Sequence, residues 1–109
     1  MTRMGLCIRL KPDVIARYKE LHAAVWPDVL AAITAANIRN YSIFLREPEN
    51  LLFAYWEYGG EDFSLDMTLM KLNPAMQEWW TICDPLQQPL DTRAAGEWWA
   101  SMEPVFFHA

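Results

Sequence analysis

His22 is the side chain in this sequence best fitted to acid–base chemistry, because an imidazole with an ordinary pKa near 6.5 exchanges protons around neutral pH. It lies in an apolar stripe, with Tyr18 four residues before it. Residues at i and i+4 of a helix place their Cβ atoms about 5–6 Å apart, so a phenol and an imidazole from this pair can reach one cavity. A histidine on an apolar face is also a common core residue, and a tyrosine one turn away leaves that reading open. Trp79-Trp80 and Trp98-Trp99 pose a different problem. Helical neighbours diverge by about 100°, so both members of a pair cannot face one core; one packs inward and the other lines a cavity or an interface. Aromatic walls suit a sugar, whose C–H faces stack on rings while its hydroxyls seek directed partners. Tyr41, on a strand face shared with Ile43 and Leu45, points to the same layer.

The elements that must position these residues follow from periodicity. Met4 to Leu10 alternates, with Met4, Leu6, Ile8 and Leu10 on one face, and reads as a strand. Lys11-Pro12-Asp13 opens a helical stretch from Val14 to Ala36, whose stripe contains Tyr18, Leu21, His22, Val25, Val29 and Ile33. Trp26-Pro27 predicts a kink or break at residues 23 to 27, since proline lacks an amide donor and biases its predecessor away from helical angles. Ile38 to Arg46 reads as a second strand, joined to a third at Leu51–Tyr58 by a turn short enough only for an antiparallel hairpin. A helix is expected from about Glu61 to Lys71, and another after Asn73-Pro74 that carries Trp79 and Trp80 until Asp84-Pro85. Residues 85 to 97 read as an irregular excursion with room for a helical turn at 92 to 96; loops of that length are usually functional. Val105 to His108 reads as the last strand. The order β-α-β-β-α-β predicts an α+β, ferredoxin-like fold: an antiparallel sheet with helices on one face. The other face, with Phe44, would stay wet, and by analogy of fold a homodimer is expected to cover it.

Composition narrows the partners. At 109 residues the chain holds one domain, residues 1–109. It carries nine Lys and Arg against fourteen Asp and Glu, a net charge of −5, with the basic residues scattered. Nucleic acid, anionic membrane surfaces and polyanionic substrates all want clustered positive charge, so a small neutral ligand fits best. No run approaches the ~18 apolar residues of a membrane span. The first apolar run is cut by Arg9 and Lys11 and reads as no signal peptide. Cys7 and Cys83, without CxxC spacing, read as reduced thiols of a cytoplasmic protein. There is no GxGxxG, Walker, GxSxG or HExxH motif, and His22 with His108 is a poor metal set. The expectation is acid–base chemistry with no cofactor and no metal.

Several segments together resemble the L-rhamnose mutarotase family. They are Tyr18-Lys19-Glu20-Leu21-His22, Val25-Trp26-Pro27-Asp28-Val29-Leu30, Asn40-Tyr41-Ser42-Ile43, Asn50-Leu51-Leu52-Phe53-Ala54, the Trp79-Trp80 pair, and the closing Val105-Phe106-Phe107-His108. The resemblance spans nearly the whole chain, and Tyr-x-x-x-His-x-x-x-Trp-Pro with a later Trp-Trp pair is specific. It implies a ferredoxin-like homodimer of the dimeric α/β-barrel type that equilibrates sugar anomers without metal or nucleotide. It also implies His22 as proton donor and Tyr18, Tyr41, Trp79 and Trp80 as substrate-binding residues. After Trp80 the chain departs from the family's shorter members: Asp84 to Leu90 and Gly96-Glu97-Trp98-Trp99 form a longer, more aromatic segment. That leaves the reaction type in place and bears on the sugar, L-rhamnose or L-fucose.

Mutarotation needs a proton on the ring oxygen and the loss of one from the anomeric hydroxyl. The expectation is that His22 protonates the ring oxygen while Tyr18 or a bound water handles the anomeric hydroxyl. Tyr41 would hold sugar hydroxyls against a wall of Trp79 and Trp80. Two rival readings stand beside it: a cofactor-free monooxygenase of the same fold acting on large aromatic substrates, and a non-enzymatic sugar-binding or regulatory module.

Overall fold

Alternation of apolar residues builds the sheet. In a computed structural model, which describes residues 1–109, β1 runs Thr2–Leu10 and aligns antiparallel with β3, Leu51–Tyr58. Ile8, Leu10, Leu52, Ala54, Trp56 and Tyr58 are buried on the shared inner face. Full burial of Ile8, Leu10 and Leu52 stabilises the fold by about 1.5–3 kcal/mol each. β2, Ile38–Arg46, pairs with the other edge of β3 through the Glu47–Asn50 turn. The sheet order is β2-β3-β1, and two short strands share the far edge of β1: β4, Gln87–Gln88, opposite Arg9 and Leu10, and β5, Ala100–Met102, opposite Gly5 to Cys7.

The helices break where proline and capping residues dictate. α1 covers Ile15–Ala23 after a 3₁₀ turn at Pro12–Val14. Trp26 is extended at ψ 136° before Pro27, the first residue of α2, Pro27–Ala35. α3, Phe63–Leu72, starts at Asp62, whose carboxylate accepts from the Leu65 amide at 3.0 Å. α4, Pro74–Cys83, starts at Asn73, whose side-chain oxygen accepts from Ala75 and Met76. A polar latch ties α3 to the sheet: Asp66 accepts from the Tyr58 hydroxyl and from Asn37 at 3.0 Å. A Cβ on Gly60 would fall 2.4 Å from the Tyr58 oxygen, so this close approach requires glycine.

The ferredoxin-like arrangement therefore holds, with two corrections. Val105 to His108 is not the last strand. Ala100–Met102 pairs instead, and Val105 and Phe106 are 93% and 85% exposed. Extending the register would set Pro104 opposite Arg3, and a residue without an amide hydrogen ends the ladder there. Residues 92 to 96 form turns rather than a helix, with the Arg93 amide donating to Leu90 and the Glu97 amide to Ala94. No helix is long and apolar enough to cross a membrane.

Three apolar clusters make up the interior. One joins α2 and α4 through Val29, Ala32, Met76, Trp79 and Cys83. Another packs Tyr18 on Ile8, Leu10 and Leu52. The third sets Ala36 and Ile38 against Trp56 and Tyr58. They do not close on one another everywhere, and a cavity remains where they meet β2.

Candidate active site

That cavity is about 550 Å³, within the range of small-molecule sites. His22 of α1, Ile33 of α2, Tyr41 of β2, Met70 of α3 and Met76, Trp79 and Trp80 of α4 all line it. Four of the five residues singled out from the sequence are thus brought together. Tyr18 is not a lining residue. It is buried, and its ring lies against the imidazole with centroids 4.2 Å apart and planes 28° from parallel.

The backbone settles the state of His22. Nδ1 lies 2.8 Å from the Tyr18 carbonyl oxygen. A carbonyl only accepts, so Nδ1 carries the hydrogen and the neutral ring keeps its lone pair on Nε2. Burial lowers the pKa below 6.5, and the carbonyl contact opposes that shift without overcoming it. His22 is therefore neutral at pH 7, with Nε2 as the atom available for proton transfer. Trp79 fixes the ring from the side at 5.3 Å, edge-on.

The phenols are poised the other way. Burial raises Tyr18 far above its ordinary value, although a hydrogen bond from Gln87 pulls it back in part. Tyr41 is raised to about 12, chiefly by burial. The residue as a whole is 41% exposed, while its hydroxyl is desolvated. Both hydroxyls remain protonated across the neutral range. Cys83, raised to about 11 mainly by burial, is an inert thiol.

A β-bulge aims Tyr41. Arg39 pairs with Glu57 and Ser42 with Tyr55, which sets Asn40 and Tyr41 together opposite Trp56. Without the extra residue, Ile38 and Ile43 could not both face inward, because side chains alternate. Asn40 takes the left-handed conformation, φ 52°, which asparagine tolerates. Its amide donates to Glu57 at 2.8 Å, and Glu57 also accepts from the Tyr55 hydroxyl at 2.7 Å.

Trp26 and Gln87 were not singled out from the sequence. The break before Pro27 turns the Trp26 ring onto Trp79, 5.1 Å away and edge-on. Gln87 donates to the Tyr18 hydroxyl, and Trp98 donates to Gln87. A second hollow, about 520 Å³, follows the exposed turn from Asp91 to Trp98. Of its two carboxylates, Asp91 and Glu97, Glu97 already accepts from the Ala94 amide and the Ser101 hydroxyl. It clasps the loop and has no acid–base partner.

The chain matches the family model of L-rhamnose mutarotase over residues 3–108. A Sinorhizobium fredii L-rhamnose mutarotase is 30% identical over 109 residues, covering 99% of this chain and 98% of that protein. One from Phocaeicola vulgatus is 35% identical over 80 residues, 73% of this chain and 74% of its own. The crystal structure of an L-rhamnose mutarotase from Formosa agariphila superposes with a TM-score of 0.78 at 23% identity, covering 100% of both chains, which speaks for the fold.

Proposed function

We propose, from the premise that this chain belongs to the L-rhamnose mutarotase family, that His22 carries the proton as the α and β anomers of L-rhamnose interconvert. The protein is an isomerase acting on a carbohydrate, and its reaction is ring opening and reclosure. In opening, the C1–O5 bond breaks, O1 becomes a carbonyl oxygen, and the proton that leaves O1 is matched by one gained at O5. Both oxygens sit on C1. One imidazole reaching both can take the proton from O1 at Nε2 and return it to O5; closure on the other face runs these steps back. Atoms balance with no oxidant or reductant.

The single observation that carries this assignment is the Nδ1–carbonyl bond, which leaves a neutral Nε2 in a cavity walled by Trp79 and Trp80. His22 as donor to the ring oxygen is then the second half of its own step. The raised phenol of Tyr41, on the cavity wall, suits hydrogen-bond donation to sugar oxygens better than proton removal, and Tyr18 is buried behind His22 with a raised phenol of its own, so His22 replaces Tyr18 at the anomeric hydroxyl. Trp79 and Trp80 offer the apolar wall for the sugar's C–H face.

Saturation-transfer NMR between the two anomeric protons of L-rhamnose tests the reading. The protein should raise the exchange rate well above buffer, and more on L-rhamnose than on L-fucose. Binding of the sugar with an unchanged rate would overturn it in favour of a binding module.

The working unit under this reading is a homodimer in the reducing cytoplasm, where Cys7 and Cys83 stay as thiols. The outer sheet face carries Phe44, 61% exposed and stacked with Phe53, beside Met102, and Phe107 lies under the Arg3 guanidinium on the same side. A second copy covering this face removes the apolar patch that a monomer would leave in water. Sedimentation at micromolar concentration should give twice the 12.7 kDa chain mass, and Phe44→Asp should shift it toward monomer. A wild type that sediments as a monomer would contradict the dimer.

A further inference from the structure

The excursion from Pro85 to Trp99 contributes no wall to the cavity, yet one of its side chains, Gln87, itself held by Trp98, reaches the residue behind His22. Gln87 is the one buried polar residue, 5% exposed. A buried amide is costly unless both its ends are bonded, and both are. The Trp98 indole nitrogen lies 2.7 Å from Gln87 Oε1, and Gln87 Nε2 lies 3.1 Å from the Tyr18 hydroxyl oxygen. An indole N–H only donates. The end of Gln87 facing Trp98 must therefore be its oxygen, and the end facing Tyr18 its NH₂ group. The Tyr18 oxygen is thereby an acceptor, and its own proton is left for another group. No protein side chain or carbonyl accepts it.

The backbone supports the same alignment. Gln87 sits in β4 opposite Leu10, and Lys11 holds the preceding turn through its amide to Leu86 at 3.1 Å and its ammonium to Pro85 at 2.7 Å. The clasp by Glu97 brings the loop back so that Trp98 meets Gln87. The Tyr18 ring held in this way is the ring on which the imidazole stacks, 4.2 Å away, and the Tyr18 carbonyl holds Nδ1.

We propose that Gln87, oriented by Trp98, is a positioning residue for anomer exchange: it braces the Tyr18 ring beneath His22 and fixes the direction in which the Tyr18 hydroxyl proton points. The inference rests on the mutarotase reading of the site. It gives the excursion from Pro85 to Trp99 a task in the reaction without contact to the cavity. Donation from Gln87 also offsets part of the rise that burial imposes on the phenol.

Exchange on L-rhamnose, measured over a range of sugar concentrations, separates kcat from KM for Trp98→Phe, Gln87→Met and Gln87→Glu. Trp98→Phe keeps the ring and removes the donor, so the amide can turn over and accept the Tyr18 proton; kcat should fall about 3–10-fold with KM moved less than about twofold. Gln87→Glu has the same shape with reversed polarity and accepts from both neighbours. Its kcat should fall about 10–30-fold, further than in Gln87→Met. In a Tyr18→Phe background, where no hydroxyl remains, Gln87→Glu should add less than about twofold. Should Gln87→Glu fail to fold, Trp98→Phe, altered at a half-exposed residue, decides alone. Retention of kcat within twofold in Trp98→Phe, or an equal loss with and without the Tyr18 hydroxyl, would overturn the inference while leaving a working mutarotase. A wild type with no effect on exchange would instead overturn the mutarotase reading and this inference with it.

Discussion

His22→Ala should lower the catalysed exchange of L-rhamnose anomers by about 10²–10³-fold, the size of a lost general acid–base group. Under the proposed mechanism the loss belongs in kcat, because the imidazole would move the proton while the cavity walls would supply most of the binding. Folding should survive. The one hydrogen bond of the His22 ring goes to its own helix, to the Tyr18 carbonyl four residues back, so its removal strands no partner on another element. Near-wild-type thermal unfolding with collapsed exchange is the expected pair of results. A loss below tenfold would mean that some other group carries the proton.

Trp79→Ala should act first on stability. Trp79 is 6% exposed at the centre of the α2–α4 cluster, with Trp26 and His22 both edge-on to it. Deleting a buried indole typically costs about 3–5 kcal/mol, a large share of the roughly 5–15 kcal/mol that holds a small domain together. Urea unfolding should show the midpoint falling with little change in slope. Trp80→Ala, at a half-buried position on the cavity wall, should leave the midpoint closer to wild type and raise KM. A Trp79→Ala midpoint close to wild type would place Trp79 outside the core.

Periodicity was enough to find the scaffold, because burial on one face imposes it. The alternation from Met4 to Leu10 and the stripe through Tyr18, His22, Val29 and Ile33 correspond to β1, α1 and α2, and Pro27 marks the break between the helices. The failures have local causes. The run Val105-Phe106-Phe107 has strand composition, but Pro104 ends the ladder before it. Spacing put Tyr18 and His22 on one helix face, yet could not say that the Tyr18 hydroxyl is engaged by Gln87, which lies 69 residues away. Gln87 carries no pattern, since a single amide in a loop resembles any exposed glutamine. The bulge had a signal: Ile38 and Ile43, both apolar and five apart, cannot share one face of a regular strand, and Asn40 between them suits the left-handed conformation. Trp26 was read for its effect on the backbone, and the contact its ring makes with Trp79 needed the packed helices to appear.

The neutral imidazole makes pH the sharpest probe. His22 titrates below its ordinary value because burial disfavours the charged ring. Protonation therefore favours the unfolded chain: its contribution to stability is whole above about pH 6.5 and declines as pH falls through the folded-state pKa. Within the folded enzyme, protonation fills Nε2 and would remove the base that the proposed mechanism uses. The decisive measurement is the catalysed exchange rate of L-rhamnose anomers from about pH 8 down to pH 4.5, corrected for the rate in buffer. The expected profile is level near neutrality and falls on the acid side with a midpoint below 6.5; the falling limb vanishes in His22→Ala. A rate that holds flat through that range, or falls with a midpoint above 6.5, would contradict the assignment of proton transfer to a neutral His22.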